Sequence, residues 1–210
     1  MVNLRGLIFD GFAGTGASGV AFNSGAKLLI KGCTFLGFAG GGITFSPGAG
    51  SAAIAKMVVE NSNVLSGGSG VVISPSAGIV ANVQLTHIRT DGNSGDGVIA
   101  DGTAGGGAIS VAIDNASIGF NAGNGVNAVS GSGSVTIDIF RSTIETNGLA
   151  GILSNQSGGG SSSVTVGSTQ IGGNGVGMQS AGGGGLRSYS NNQVMGNQTT
   201  GNFTGSVGLQ

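Results

Sequence analysis

"IGFNAGNGV", residues 118–126, holds two Asn and three Gly among apolar residues. Such a segment is either a low-complexity linker or one turn of something built by repetition. Composition alone serves both readings. Gly is 47 of 210 residues, far above the roughly 7 % of an ordinary globular chain, and Gly with Ser but without a period signals disorder. Yet charged residues are only 7 % of the chain and hydrophobic residues 39 %. A disordered chain is rich in charge and poor in apolar residues. Spacing therefore decides.

The stretch has relatives: "TDGNSGDGV" at 90–98, "IETNGLAGI" at 144–152 and "IGGNGVGM" at 171–178. Each follows a short alternating run, such as "VAIDNASI" from Val111 or "IDIFRSTI" from Ile137. The second apolar residue of each run gives the series Leu4, Ile30, Val59, Leu85, Ile113, Ile139, Val166 and Tyr189, with gaps of 26, 29, 26, 28, 26, 27 and 23. Eight units of similar length fill the chain, which makes it one repeat array, a single domain over 1–210. Alternation over short runs signals strands, and Gly at this density would cost a helix about 1 kcal/mol per residue. One unit cannot bury its own apolar face, but stacked units can, each strand pairing in parallel about 4.8 Å above its counterpart. The expected fold is all-β: a single-stranded, right-handed parallel β-helix of about eight three-strand coils, about 38 Å long.

Aligned units show the expected core. Five residues after each marker stand Phe9, Phe35, Val64, Thr90, Ile118, Ile144, Ile171 and Val194. After the Gly of the next run come Val20, Ile43, Val71, Val98, Val126, Ile152 and Val176. Eight residues after the marker, the last five coils carry Asn93, Asn121, Asn147, Asn174 and Asn197. A vertical Asn row at one turn lets each side-chain amide bond the next, with nearby Gly supplying positive φ. This row is expected to be structural.

The aligned frame, V-x-I-x-N-[AST]-x-I-x-x-N-x-x-x-G-[VI], resembles the right-handed parallel β-helix repeat of the pectate-lyase-like superfamily. "LRGLIFDGF", "VTVGSTQI" and "LRSYSNNQVMGN" look like the C-terminal coils of bacterial β-helix proteins of uncharacterised function. The resemblance implies the fold, an extracellular or cell-surface parent protein, and further N-terminal coils in that parent. It does not fix an activity, because this fold carries lyases, hydrolases, tail fibres and adhesins.

Two function classes follow. One is a non-catalytic scaffold or binding module for extracellular glycans or cell-surface contacts. The other is a polysaccharide lyase or glycoside hydrolase with an outer-face groove. An enzyme of either kind needs converging acids and bases, and the eight acids, Asp10, Glu60, Asp91, Asp96, Asp101, Asp114, Asp138 and Glu145, scatter over several coils. The densest polar segment is "HIRTDGNSGDGVIADG", with His87, Arg89 and Asp91 close together and Asp96 and Asp101 across the coil. His87, Asn115 and Arg141 share an outward row of three successive coils. Binding is therefore expected at His87, Arg89, Asp91, Asn115 and Arg141, with no catalytic residue assigned, no metal ligand and no cofactor.

Other chemistry is thinner. Cys33 is the one cysteine, which leaves no disulfide or CxxC pair, and its column of Leu7, Ser62, Ile88 and Ala116 marks a small buried thiol. His87 is the single His, and no calcium-binding nonapeptide or EF-hand pattern occurs. "GTGASG" at 14–19 matches a phosphate-loop spacing but no helix follows it. A net charge of −1 with scattered cations gives no nucleic-acid footprint, and no apolar run is long enough to span a membrane. Arg5, Lys27, Lys31 and Lys56 make the first coils locally basic. Six of nine Phe, namely Phe9, Phe12, Phe22, Phe35, Phe38 and Phe45, fall in the first 45 residues. With no capping helix ahead of Val2 to Phe12, this end is expected to dock on a second copy, end to end, or on coils of a longer parent.

Overall fold

The computed structural model describes residues 1–12, 14–105 and 107–208. Among these residues there are strands and turns but no helix, so none could cross a membrane as one. The strands pair in parallel, in one 15-stranded and one 7-stranded sheet. They stack as a β-solenoid of about seven turns, consistent with a right-handed parallel β-helix.

Each turn passes through three faces. The first face carries Val2–Arg5, Lys27–Lys31, Ile109–Asp114, Ser134–Phe140, Ser161–Gly167 and Gly185–Ser188. The second carries Ile8–Asp10, Thr34–Leu36, Ser117–Gly119, Thr143–Glu145, Gln170–Gly172 and Gln193–Met195. In two coils a single 12-residue strand, Ile54–Leu65 or Val80–Asp91, continues across the corner, which joins both faces into the larger sheet. The third face holds Val20–Phe22, Gly41–Phe45, Ser69–Ile73, Val98–Gly102, Val126–Ser130, Ala150–Gln156 and Val176–Ala181. Eight coils become about seven turns because the eighth unit completes only its first two strands. Beyond Asn197 the chain makes a bridge from Thr199 to Val176 and the short strand Gly205–Ser206.

The register confirms the inward columns. Phe9, Phe35, Val64, Thr90, Ile118, Ile144, Ile171 and Val194 follow one another in pairing. Phe9 stacks on Phe35 with ring centroids 4.7 Å apart, and Phe22 on Phe45 at 5.2 Å. Two positions differ from the sequence reading. Ser188, not Tyr189, continues the first-face column beneath Val166, because the last coil carries one extra residue at its corner. Tyr189 instead lies beside Phe140, ring centroids 5.5 Å apart. On the third face Met178, not Val176, succeeds Ile152, since that coil is one residue shorter after its Asn.

The Asn row is a continuous ladder. Asn93 donates to Asn121 Oδ1 at 2.8 Å, Asn121 to Asn147 at 3.0 Å, Asn147 to Asn174 at 2.9 Å and Asn174 to Asn197 at 2.9 Å. Each Oδ1 also accepts the backbone N–H of the residue one coil earlier, from Gly67 to Asn174. The second amide proton of each goes to a carbonyl of the coil below. The side-chain amides of Asn93, Asn121, Asn147 and Asn174 are thus fully satisfied, as a dry turn requires. Positive φ falls on the residue just before each Asn: Gly92, Phe120, Thr146, Gly173 and Gly196. The Gly four positions after the Asn serves another purpose. A Cβ at Gly97, Gly125 or Gly151 would stand 2.8 Å from the ladder amide of Asn121, Asn147 or Asn174 respectively. These glycines give the ladder room.

Candidate functional site

The corner between the first and second faces is a single residue in left-handed backbone. Gly6 and Gly32 occupy it in the first two coils, then Asn61, His87, Asn115, Arg141 and Ser168, with φ between 48° and 62°. The next residue turns inward. Ser62 Oγ accepts the N–H of Cys33 at 3.1 Å and donates to the Glu60 carbonyl at 2.8 Å. Ser142 Oγ does the same for Ala116 at 3.1 Å and Phe140 at 2.7 Å, and Thr169 Oγ1 for Ser142 at 3.4 Å and Gly167 at 2.9 Å. Cys33 is fully buried in this column. With the following residue anchored, the corner side chain can only point outward. His87, Asn115 and Arg141 are all exposed for that reason. Sequence alignment found the row; it did not reveal that the backbone itself forces the exposure.

Charges along the corner are paired. Arg89 and Asp91, two residues apart on the same outward side of one strand, form an ion pair. Arg141 Nη2 lies 2.5 Å from Asp114 Oδ2, and Asn115 Nδ2 reaches the same oxygen at 3.4 Å. Asp114 therefore joins Asn115 to Arg141, a role its own spacing in the sequence did not suggest. Its other oxygen, Oδ1, is buried without a partner. The imidazole of His87 makes no hydrogen bond among the described residues. Asp96 and Asp101 do not join the group. Asp96 accepts from Asn124 N at 2.6 Å and from Asn127 Nδ2 at 2.8 Å, capping the start of the third face. Asp101 accepts from Thr103 N–H at 2.9 Å and its hydroxyl at 2.6 Å.

Towards the last coils the corner opens into a polar cleft of about 450 Å³, lined by Arg141, Thr143, Ser168, Gln170, Asn191 and Gln193. Thr143, Gln170 and Gln193 are successive members of one outward row, so their polar groups repeat at the strand spacing of about 4.8 Å. The cleft offers hydroxyl, amide and guanidinium groups and no carboxylate. On the first face, Lys27 and Lys56 are register partners with no carboxylate partner among the described residues, beside a groove of about 310 Å³. Among the described residues no group of three or more His, Cys, Asp or Glu side chains could hold a metal ion. What the arrangement can do is hydrogen-bond a polyhydroxylated chain along the solenoid axis.

Comparison with protein-family models, with curated proteins and with solved structures gave no match. The functional reading therefore stands on this geometry.

Proposed function

We propose that this chain is a rigid, non-catalytic binding scaffold whose outer face holds an extracellular or cell-surface glycan. One observation carries the reading: outward polar side chains recur in register along the first corner and second face, while the carboxylates nearest them are already engaged. Glycans are bound by many spaced hydrogen bonds, and a stack of coils supplies such a series at no conformational cost on binding. The partner is a polysaccharide rather than nucleic acid, since the corner's cations are neutralised by neighbouring carboxylates. The repeat frame supports kinship with the pectate-lyase-like superfamily, and with it a secreted bacterial parent.

The test is affinity electrophoresis against a panel of neutral and acidic polysaccharides, using wild type and a variant with His87, Asn115 and Arg141 all changed to Ala. Retardation of wild type by at least one polysaccharide, weakened about tenfold or more in a variant that still folds, is the expected result. Equal retardation of both proteins would remove the first corner from the binding surface.

A further inference from the structure

Of nine Phe, the two that stand out among the exposed large hydrophobics are Phe12 and Phe120, 79 % and 59 % exposed. The same two are the aromatic residues with positive φ, 47° and 54°. A bulky side chain in left-handed backbone is a genuine outlier. At the corner before the Asn ladder, the coils on either side of Phe120 carry Gly92 and Thr146, neither of which presents a ring. Packing does not call for an exposed ring there, and the backbone opposes it. Strain and exposure retained together at one position point to use.

Phe120 lines a groove whose other end lies beside Phe12 in the chain. This groove has a volume of about 890 Å³ and runs along the second corner, with Phe120 in its lining at one end and Asp10 and Gly14, either side of Phe12, at the other. Asp10 Oδ1 accepts the Phe12 N–H at 2.9 Å and so fixes the chain where that ring emerges. From Asp10 the register steps through Leu36, Leu65 and Asp91 to Gly119, next to Phe120. Those four steps separate the two ends by about 19 Å. Between them the lining combines glycine, at Gly37, Gly67 and Gly68, with the side chains of Leu36 and Phe38. A Cβ at Gly67 would meet the Phe38 carbonyl at 2.7 Å, and one at Gly68 would collide with the Ala39 carbonyl. Among the described residues, Asp10 is the sole charged one in the lining, and no cation lines it.

We infer that this groove is a second binding site, for a neutral oligosaccharide lying along the solenoid axis. The inference shares the glycan class of the proposed function but not its site. Pyranose rings present an apolar C–H face that stacks on an aromatic ring, while their hydroxyls need polar groups alongside. Phe120 supplies a ring in the lining, Phe12 stands between the lining residues Asp10 and Gly14, and Ser66 and Ser94 offer hydroxyls. An acidic glycan or nucleic acid finds no cation among the described lining residues. The coil rise of about 4.8 Å approximates one sugar unit of an extended chain.

Calorimetric titration with cello-, xylo-, manno- and chitohexaose, and with hexagalacturonate as the acidic control, tests this. At least one neutral hexasaccharide should bind wild type, and hexagalacturonate should not compete for the groove. Phe120→Gly and Phe12→Gly should each weaken that binding at least tenfold while melting no lower than wild type. Phe120→Leu, which keeps apolar bulk but not the flat face, should also weaken it. Thr136→Ala, an exposed position on the first face outside both proposed sites, should leave it within twofold. No neutral hexasaccharide bound by wild type, or unchanged affinity in Phe120→Gly or Phe120→Leu, would overturn the inference. Loss of binding in Arg141→Ala alone would sustain the first-corner reading and refute this one.

Discussion

Asn121 has every polar atom of its side chain engaged inside the turn. It accepts from Asn93 N at 3.1 Å and Nδ2 at 2.8 Å, and donates to Asn147 Oδ1 at 3.0 Å and to the Thr90 carbonyl at 3.1 Å. Removing it leaves buried donors and acceptors unpaired, so Asn121→Ala should cost about 1–3 kcal/mol of stability, read by thermal or denaturant unfolding. Asn197 ends the row and is only half-buried, so its Ala variant should cost less, under about 1 kcal/mol. A ladder that carries no stability would give two equal, negligible changes. Thr90 is the opposite case. It sits fully buried in a column of Val, Ile and Phe, and its hydroxyl has no partner among the described residues. Thr90→Val keeps the shape and removes the orphan, and should stabilise by about 1–2 kcal/mol. A lowered melting temperature would show that the hydroxyl is satisfied after all. The Asn row was legible in the sequence because one residue type recurs at one position. The left-handed corner was not, because Asn61, His87, Asn115, Arg141 and Ser168 share a backbone angle and no side-chain property.

At the level of the strand and its turn, glycine does two jobs that a sequence cannot tell apart. Gly92 and Gly173 adopt positive φ, at 65° each, whereas Gly125 is absent from that conformation and is needed for space. A Cβ on Gly125 would stand 2.6 Å from the Gly151 carbonyl and 2.7 Å from Ile144 Cγ2, as well as against the ladder. These neighbours are backbone and packed core, which cannot move away cheaply. Gly125→Ala should therefore destabilise by about 1–3 kcal/mol through overpacking, measured by the same unfolding experiment. By contrast, Gly78→Ala meets no atom within 4 Å and tests positive φ alone, at 79°. If Gly125→Ala melted like wild type, the close approach of ladder and third face would be refuted. The frame N-x-x-x-G exposed this glycine in advance, but not the space it provides. One-residue changes in coil length explain the remaining slips, at Tyr189 and Val176, because each moved a similar residue into the expected place.

The two ends of the solenoid differ. At the C-terminal end the chain folds back: Gly177 N donates to the Thr199 carbonyl at 2.7 Å, Thr204 pairs with Leu186, and Phe203 packs on the core. The N-terminal coil leaves Met1, Val2, Leu7, Ile8 and Phe12 exposed and one side of its strands unpaired. An exposed apolar strand edge invites pairing with another chain. Repetition made the whole-molecule architecture readable from sequence, since each coil restates the same constraint. Function is written on outward positions, which the repeat leaves free, and so only its rows were legible and not its pairings. Arg141 with Asp114, Asp96 with Asn124 and Asn127, and the groove at Phe120 needed coordinates. The central claim is that the outer face binds glycan without breaking it. The most direct measurement incubates the purified protein, with and without Ca²⁺, with the polysaccharide that retards it most, and follows chain length by size-exclusion chromatography alongside reducing ends and unsaturated-product absorbance. Retention with unchanged chain length is the predicted result. New reducing ends or unsaturated product, lost in Arg141→Ala, would contradict it and make the protein an enzyme.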